Sequence, residues 1–378
     1  MIQFKQLSFW EKVTLLEEID FLIVGSGIVG SACALELRRK NPDAKIVILE
    51  RSYLPLGAST KNAGFACFGS VTELLDDLES TPEERVWNTV KLRFEGLERL
   101  LQRFSISDLS YENCGSYDLI SDKEDLAIYD PKLEYLNRQI EFITGQKNCY
   151  SYEEKINKKF GFNGFEGGYF NRLEGAIDTG KLLLATQRDL AKNGIIVLNG
   201  IEVNDFHPDQ KNMIVRTNYG EIRSKKLGIT INGFAKKLFP ELDVEPAREQ
   251  VVVTSEILDL QVKGTFHLDK GYYYFRNIGN RILLGGGRNL DFKAENTFEL
   301  SQTELIQDAL EELLKGKIIP NRDFTIDYRW SGTMGVGNEK GPIIEKINRH
   351  TAIGVRLGGM GVAIGSLAGE KLAFLLND

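Results

Sequence analysis

The chain has 378 residues, 42% apolar and 27% charged, close to globular averages, which excludes a disordered or collagen-like chain. Its 47 basic and 54 acidic residues give a net charge of −7 without a basic block, which argues against nucleic acid or an anionic membrane as partner. Three scattered histidines and four cysteines without a CxxC pair offer no zinc motif and no disulfide framework, so no metal is expected and a reducing compartment is.

Residues 1–20 lack an apolar run with a cleavage site, so a cytoplasmic protein is expected. Phe9, Trp10, Val13, Leu15 and Leu16 predict a short amphipathic helix packed on the body. Asp20 to Val24 reads as an apolar strand buried on both faces, Ser31 to Lys40 as a helix stopped by Asn41-Pro42, and Ala44 to Leu49 as a second strand. Together they form a βαβ unit, which implies a parallel sheet. Val86, Val90, Phe94, Leu97, Leu101 and Phe104 mark an amphipathic helix over 82–104, and Leu133, Leu136, Ile140 and Ile143 mark another. Gly175 to Asp178 opens a helix that ends at Asn193-Gly194. Short strands follow from Ile195, Ile201, Met213 and Leu227, and 248–284 is mostly β. A helix is expected near 301–314, strands at 324–330 and 351–355, then a glycine cluster and a last helix to Leu376. The uncharged stretch 357–369 is too short to span a membrane.

Gly25-Ser26-Gly27-Ile28-Val29-Gly30 is a GxGxxG run between strand and helix. The first glycine permits the tight turn, the second lets backbone N–H groups approach a pyrophosphate, and the third lets the helix pack on the strand. Glu50, followed by Arg51, closes the second strand about 20 residues later, where an acid holds a ribose hydroxyl pair. That favours NAD or FAD over NADP, and leaves the first two open.

Gly57-Ala58-Ser59-Thr60-Lys61-Asn62-Ala63-Gly64, then Gly69, resembles the flavin-contacting loop of the D-amino-acid oxidase, glycine oxidase and sarcosine oxidase family. Further segments resemble that family in order: Ile201-Glu202-Val203, Thr230 to Gly233, Pro246 to Val251, Trp330-Ser331-Gly332, Gly341-Pro342-Ile343 and Gly358-Gly359-Met360-Gly361. The resemblance implies non-covalent FAD. Ser59, Thr60, Asn62, Ala63, Gly64, Gly358, Gly359, Met360 and Gly361 would lie at the flavin, Val203 near the adenine and Gly233 near the phosphates. It also implies an α/β chain, α+β overall, in which a Rossmann-like FAD-binding domain interleaves with a mixed-sheet substrate domain. The expected boundaries are 1–80, 150–235 and 332–378 for the first, and 81–149 and 236–331 for the second.

The resemblance further implies a small-molecule substrate, with oxidation of a C–N bond of an amine or amino acid by hydride transfer to the flavin. Two basic anchors for a substrate carboxylate are missing, because Met334 and Val362-Ala363 stand at the matching positions. Strand alternation puts Tyr272, Tyr274 and Arg276 on one face, with Arg288 on the neighbouring strand. These are candidates for binding an anion, or a cross-strand packing set. Lys61 is a candidate charge near the flavin ring, or a solvated one. The alternatives are a 2-hydroxy-acid dehydrogenase, for which His267 is the only histidine near the substrate strands, and a non-catalytic flavoprotein subunit or assembly factor.

Overall fold

The computed structural model describes residues 4–378. Parallel strands run in the order Thr351–Val355, Gly220–Ile229, Ile19–Val24, Ile46–Glu50 and Ile196–Asn199. An antiparallel strand, Ile343–Lys346, covers one edge, and Val203–Asp209 with Asn212–Thr217 forms a meander on Gly220–Ile229. The two central strands are buried almost throughout, as their unbroken apolar sequence requires. Helix Ile28–Lys40 packs against helix Gly361–Asn377 at a glycine contact. A Cβ at Gly369 would stand 2.5 Å from the Val29 carbonyl oxygen, so only glycine allows this approach. The chain order reverses beside Ile19–Val24, and ligands of open α/β sheets bind at such a reversal, beyond the carboxyl ends of the strands.

The second sheet runs Ile326–Val336, Glu245–Thr254, Arg281–Gly286, Tyr273–Ile278, Thr265–Leu268, Ser116–Ile120, Gly167–Asn171, Tyr150–Glu153. It is mixed, because Thr265–Leu268 and Ser116–Ile120 pair in parallel. Its rear face packs Val252, Phe266, Phe275, Ile282 and Leu284 on Ile306 and Leu310 of helix Glu304–Leu313. Its front face turns Val251, Val253, Leu283, Tyr274 and Trp330 toward Ala63 and Phe65. The helices Glu83–Arg103 and Leu133–Thr144 form where the apolar stripes predict them. Ser70 caps a helix, Val71–Ser80, that the sequence reading did not separate.

Three expectations need correction. The strands Tyr150–Glu153 and Gly167–Asn171 join the second sheet and not the nucleotide-type sheet, because they pair with each other and with Ser116–Ile120. Strand Ile326–Val336 also runs straight through the expected boundary at 331/332. At the amino end, the expected packing holds at Leu16, which lies on the core, but not at Phe9 and Trp10, which are 67% and 75% exposed and meet edge-to-face. The capping box between Ser8 and Glu11 accounts for that turn without tertiary packing. No helix among the described residues is long and apolar enough to cross a membrane.

The strand Glu245–Thr254 is held from behind by a buried ion pair. Arg248 donates to both carboxylate oxygens of Glu295, at 2.8 and 2.7 Å, with side chains 4% and 1% exposed. Gln250 adds a bond to Glu295 at 2.9 Å. Replacing Glu295 with Ala leaves the guanidinium buried without its partner, which should destabilise the fold by about 3–5 kcal/mol. Denaturant unfolding checks this. The double variant Arg248→Met/Glu295→Leu should recover much of that loss, and equal losses in both would show that the pairing is not the cause.

Candidate active site

A cavity of about 520 Å³ lies between the two sheets. Two helix N-termini reach it. Gly27 precedes helix Ile28–Lys40 and Met360 precedes helix Gly361–Asn377, and neither residue caps its helix with a side chain of its own. Unpaired N–H groups and the helix dipole make both ends positive, suited to a bound anion or a developing negative charge. At the first of them, Ile28 N–H donates to Ser59 Oγ at 3.0 Å. A Cβ at Gly27 would come within 2.7 Å of that oxygen, so the cradle has no room for a side chain. Glu50 is fixed at the end of its strand by N–H and Oγ–H of Ser26 and by N–H of Ser52. Such an oriented carboxylate retains lone pairs for a hydroxyl donor.

Most of the residues singled out from the sequence meet at this cavity. Gly25, Gly27, Ile28, Val29, Glu50, Arg51, Ser59, Asn62, Ala63, Val203, Gly358, Gly359, Met360 and Gly361 line it, as do Lys61, Tyr272, Tyr274 and Arg288. Others stand behind the wall. Gly30 lies under the loop, where a Cβ would meet the Gly25 carbonyl oxygen at 2.0 Å, which is the packing role of the third glycine. Thr60 donates to Pro55 O and closes its own loop. Gly64 and Gly233 permit backbone contacts to Ile177 and Met334.

Arg276 is the clear departure. Its Nη1 donates to the carbonyl oxygens of Ile177 at 2.8 Å and Gly64 at 3.1 Å, and the residue is only 7% exposed. Alternation puts it on the same face as Tyr274, but at a point where the 57–64 loop already covers the sheet. It is a buttress for that loop and no anion receptor. Lys61 offers its carbonyl oxygen to Trp330 Nε1 at 2.9 Å, and its ammonium has no ion-pair partner among the described residues.

The reading of the sequence missed the charged part of the wall. Glu249, His267, Glu73, Arg93 and Lys340 all line the cavity. Arg93 donates to Glu73 at 3.1 Å, and Lys340 pairs with Asp77. Burial pushes Glu73 up, but Arg93 and Lys340 outweigh it and hold this carboxyl below its ordinary range. Burial pushes the His267 imidazole down to about 4. Its Nε2 has no partner, and one ring nitrogen lies within 4.8 Å of both Cys67 Sγ and a Glu174 oxygen. Cys67 and Glu174 are themselves buried. A signal for Arg93 existed, since it falls between Val90 and Leu97 on the buried stripe of its helix.

The chain resembles known proteins over most of its length. The probable oxidoreductase OrdL of Haemophilus influenzae is 21% identical across 96% of this chain and 83% of its own length. Mitochondrial L-2-hydroxyglutarate dehydrogenase of Nematostella vectensis is 28% identical, over 57% of this chain and 42% of its own. The crystal structure of glycine oxidase from Geobacillus kaustophilus superposes with a TM-score of 0.77 at 20% identity, covering 95% of this chain and 94% of that one. The family model of FAD dependent oxidoreductases matches residues 20–375. An enzyme, and not a non-catalytic subunit, follows: the chain belongs to the FAD-dependent oxidoreductase family of D-amino-acid oxidase type.

Proposed function

We propose that this enzyme oxidises a C–N bond of an amine or amino acid, with non-covalently held FAD as the hydride acceptor. When bound, the flavin supplies the two-electron chemistry, and the protein supplies orientation and electrostatics. In this reading Gly25, Gly27 and Ile28 receive the pyrophosphate at the first helix, Glu50 holds the ribose, and Val203 borders the adenine. Gly358 to Gly361 set the second positive helix end against the reduced ring. Thr333 and Met334 border the same space. Cys67 is 1% exposed and does not line the cavity, which supports a flavin without a thioether link.

The observation that carries the C–N reading is the structural likeness to glycine oxidase, iminodiacetate oxidase and L-amino acid deaminase. Oxidising an alcohol requires a group that takes the hydroxyl proton. The cavity's histidine, with its basicity lowered to about 4, is a weak proton acceptor. An amine whose nitrogen has already given up its ammonium proton needs no such group at the moment of hydride transfer. Glycine oxidase, among the similar structures, fits this reading, whereas the hydroxyglutarate dehydrogenase favours the alcohol.

Anaerobic flavin bleaching with panels of amines, amino acids and 2-hydroxy acids separates the two. Bleaching by at least one amine or amino acid, and by no hydroxy acid, is the expected result; the reverse pattern rejects the proposal. Acid precipitation should leave all flavin in the supernatant.

Gly27→Val should yield a folded protein that lacks flavin. Gly27 has φ −69° and ψ −175°, which any residue adopts, so the lesion is steric and confined to the cradle. The ratio of absorbance at flavin and protein wavelengths reads it out. Undiminished flavin content would place the phosphates elsewhere.

A further inference from the structure

Glu249 stands on the cavity side of strand Glu245–Thr254 and lines the cavity. Gly332, directly opposite on a neighbouring strand, lines the cavity beside it. Its Oε1 is 3.5 Å from Arg288 Nε, the two side chains being 14% and 18% exposed. Oε2 is shielded from solvent and has no hydrogen-bond partner. Buried carboxylate oxygens are nearly always bonded, and this carboxyl, on a residue that lines the cavity, has bonding capacity left for a ligand donor. Arg288 is already engaged, by Glu249 and by the Phe292 ring 4.7 Å from it. It is therefore a poor anchor for a second carboxylate.

We propose that Glu249 is the receptor for the substrate nitrogen: its carboxyl accepts an N–H of a cationic primary or secondary amine and takes the proton that must leave nitrogen. This rests on the C–N reading above. In the step, R2CH–NH3+ gives one proton to the Glu249 carboxylate and recovers its lone pair. The C–H electron pair then departs as hydride to the oxidised cofactor, and the lone pair closes the C=N bond. An α-carboxylate would bring a second negative charge against Glu249, so the substrate class is an amine without one.

The groups facing Glu249 set its titration. Arg288 draws it down, while Tyr273 and Tyr274 flank it and Glu295, paired with Arg248, lies behind. Burial dominates and pushes it up to about 8. Below that pH an ammonium must displace the proton of Glu249 in order to bind. Affinity should therefore rise about tenfold per pH unit and level off near pH 8.

The test uses the FAD-loaded enzyme and probes that lack an α-hydrogen and cannot react: tert-butylamine, its α-carboxylate analogue 2-aminoisobutyrate, and tert-butanol. Binding is read from the perturbed flavin spectrum. Expected are preference for tert-butylamine and the rising limb to pH 8. Glu249→Gln should weaken tert-butylamine by about thirtyfold or more and abolish the limb, whereas Glu249→Asp should retain the limb. Arg288→Met should move the limb to higher pH, and it decides the matter if Glu249→Gln fails to hold flavin. Unchanged affinity and limb in Glu249→Gln, an unmoved limb in Arg288→Met, or preference for 2-aminoisobutyrate overturns the proposal. Each of these leaves C–N oxidation standing, which fails only if hydroxy acids and not amines bleach the flavin.

Discussion

The alternation of side chains along Glu245–Thr254 is the constraint on which the site depends. Arg248 and Gln250 point to the rear and lock onto Glu295, so the residue between them has no choice but to face the cavity. The bidentate geometry fixes the strand's height and register as well as its face. A slip of one residue would bury Glu249 in the apolar rear core and turn Arg248 toward the cofactor. The ion pair thus controls a charge at the site from the opposite side of the sheet. It tethers the segment following Arg288 too, since Arg248 N–H bonds to the Glu295 carbonyl oxygen.

On the other side of the cavity, glycine plays the equivalent part. Backbone approaches at Gly27, Gly30 and Gly369 bring two helices together and point both N-termini at one space. Neither N-cap residue bonds its own helix end, so beyond the Ile28 N–H held by Ser59 the positive potential is available to a ligand. The cavity is positive where a cofactor's anionic groups belong, and it carries a carboxyl at Glu249 on the facing sheet. That polarity orients a cationic substrate with its nitrogen toward the sheet.

What could be read from the sequence was what is local. The glycine fingerprint, its helix and Glu50 lie within one βαβ unit, and turn chemistry and helix starts are short-range properties. The amphipathic helices 83–103 and 133–144 announced themselves in the same way, by period. The sheet that carries Tyr150–Glu153 could not be read, because its pairing partners include strands far along the chain. Face was legible where depth was not. Arg276 and Tyr274 do share a face, but only the folded chain shows the 57–64 loop lying over the arginine and supplying it with carbonyl oxygens. Glu249 was hidden for a different reason. It stands inside a segment that reads as structural strand, and its place on the cavity wall depends on Arg248 and Gln250 bonding the distant Glu295 on the opposite face.

The most direct measurement is the crystal structure of the holoenzyme, prepared without oxygen, with the amine that bleaches its flavin most readily. The account requires the amine nitrogen within about 3.2 Å of a Glu249 carboxyl oxygen, the outer limit of a normal N–H···O bond. A ligand that instead presents a carboxylate to Arg288, with its nitrogen remote from Glu249, would contradict it.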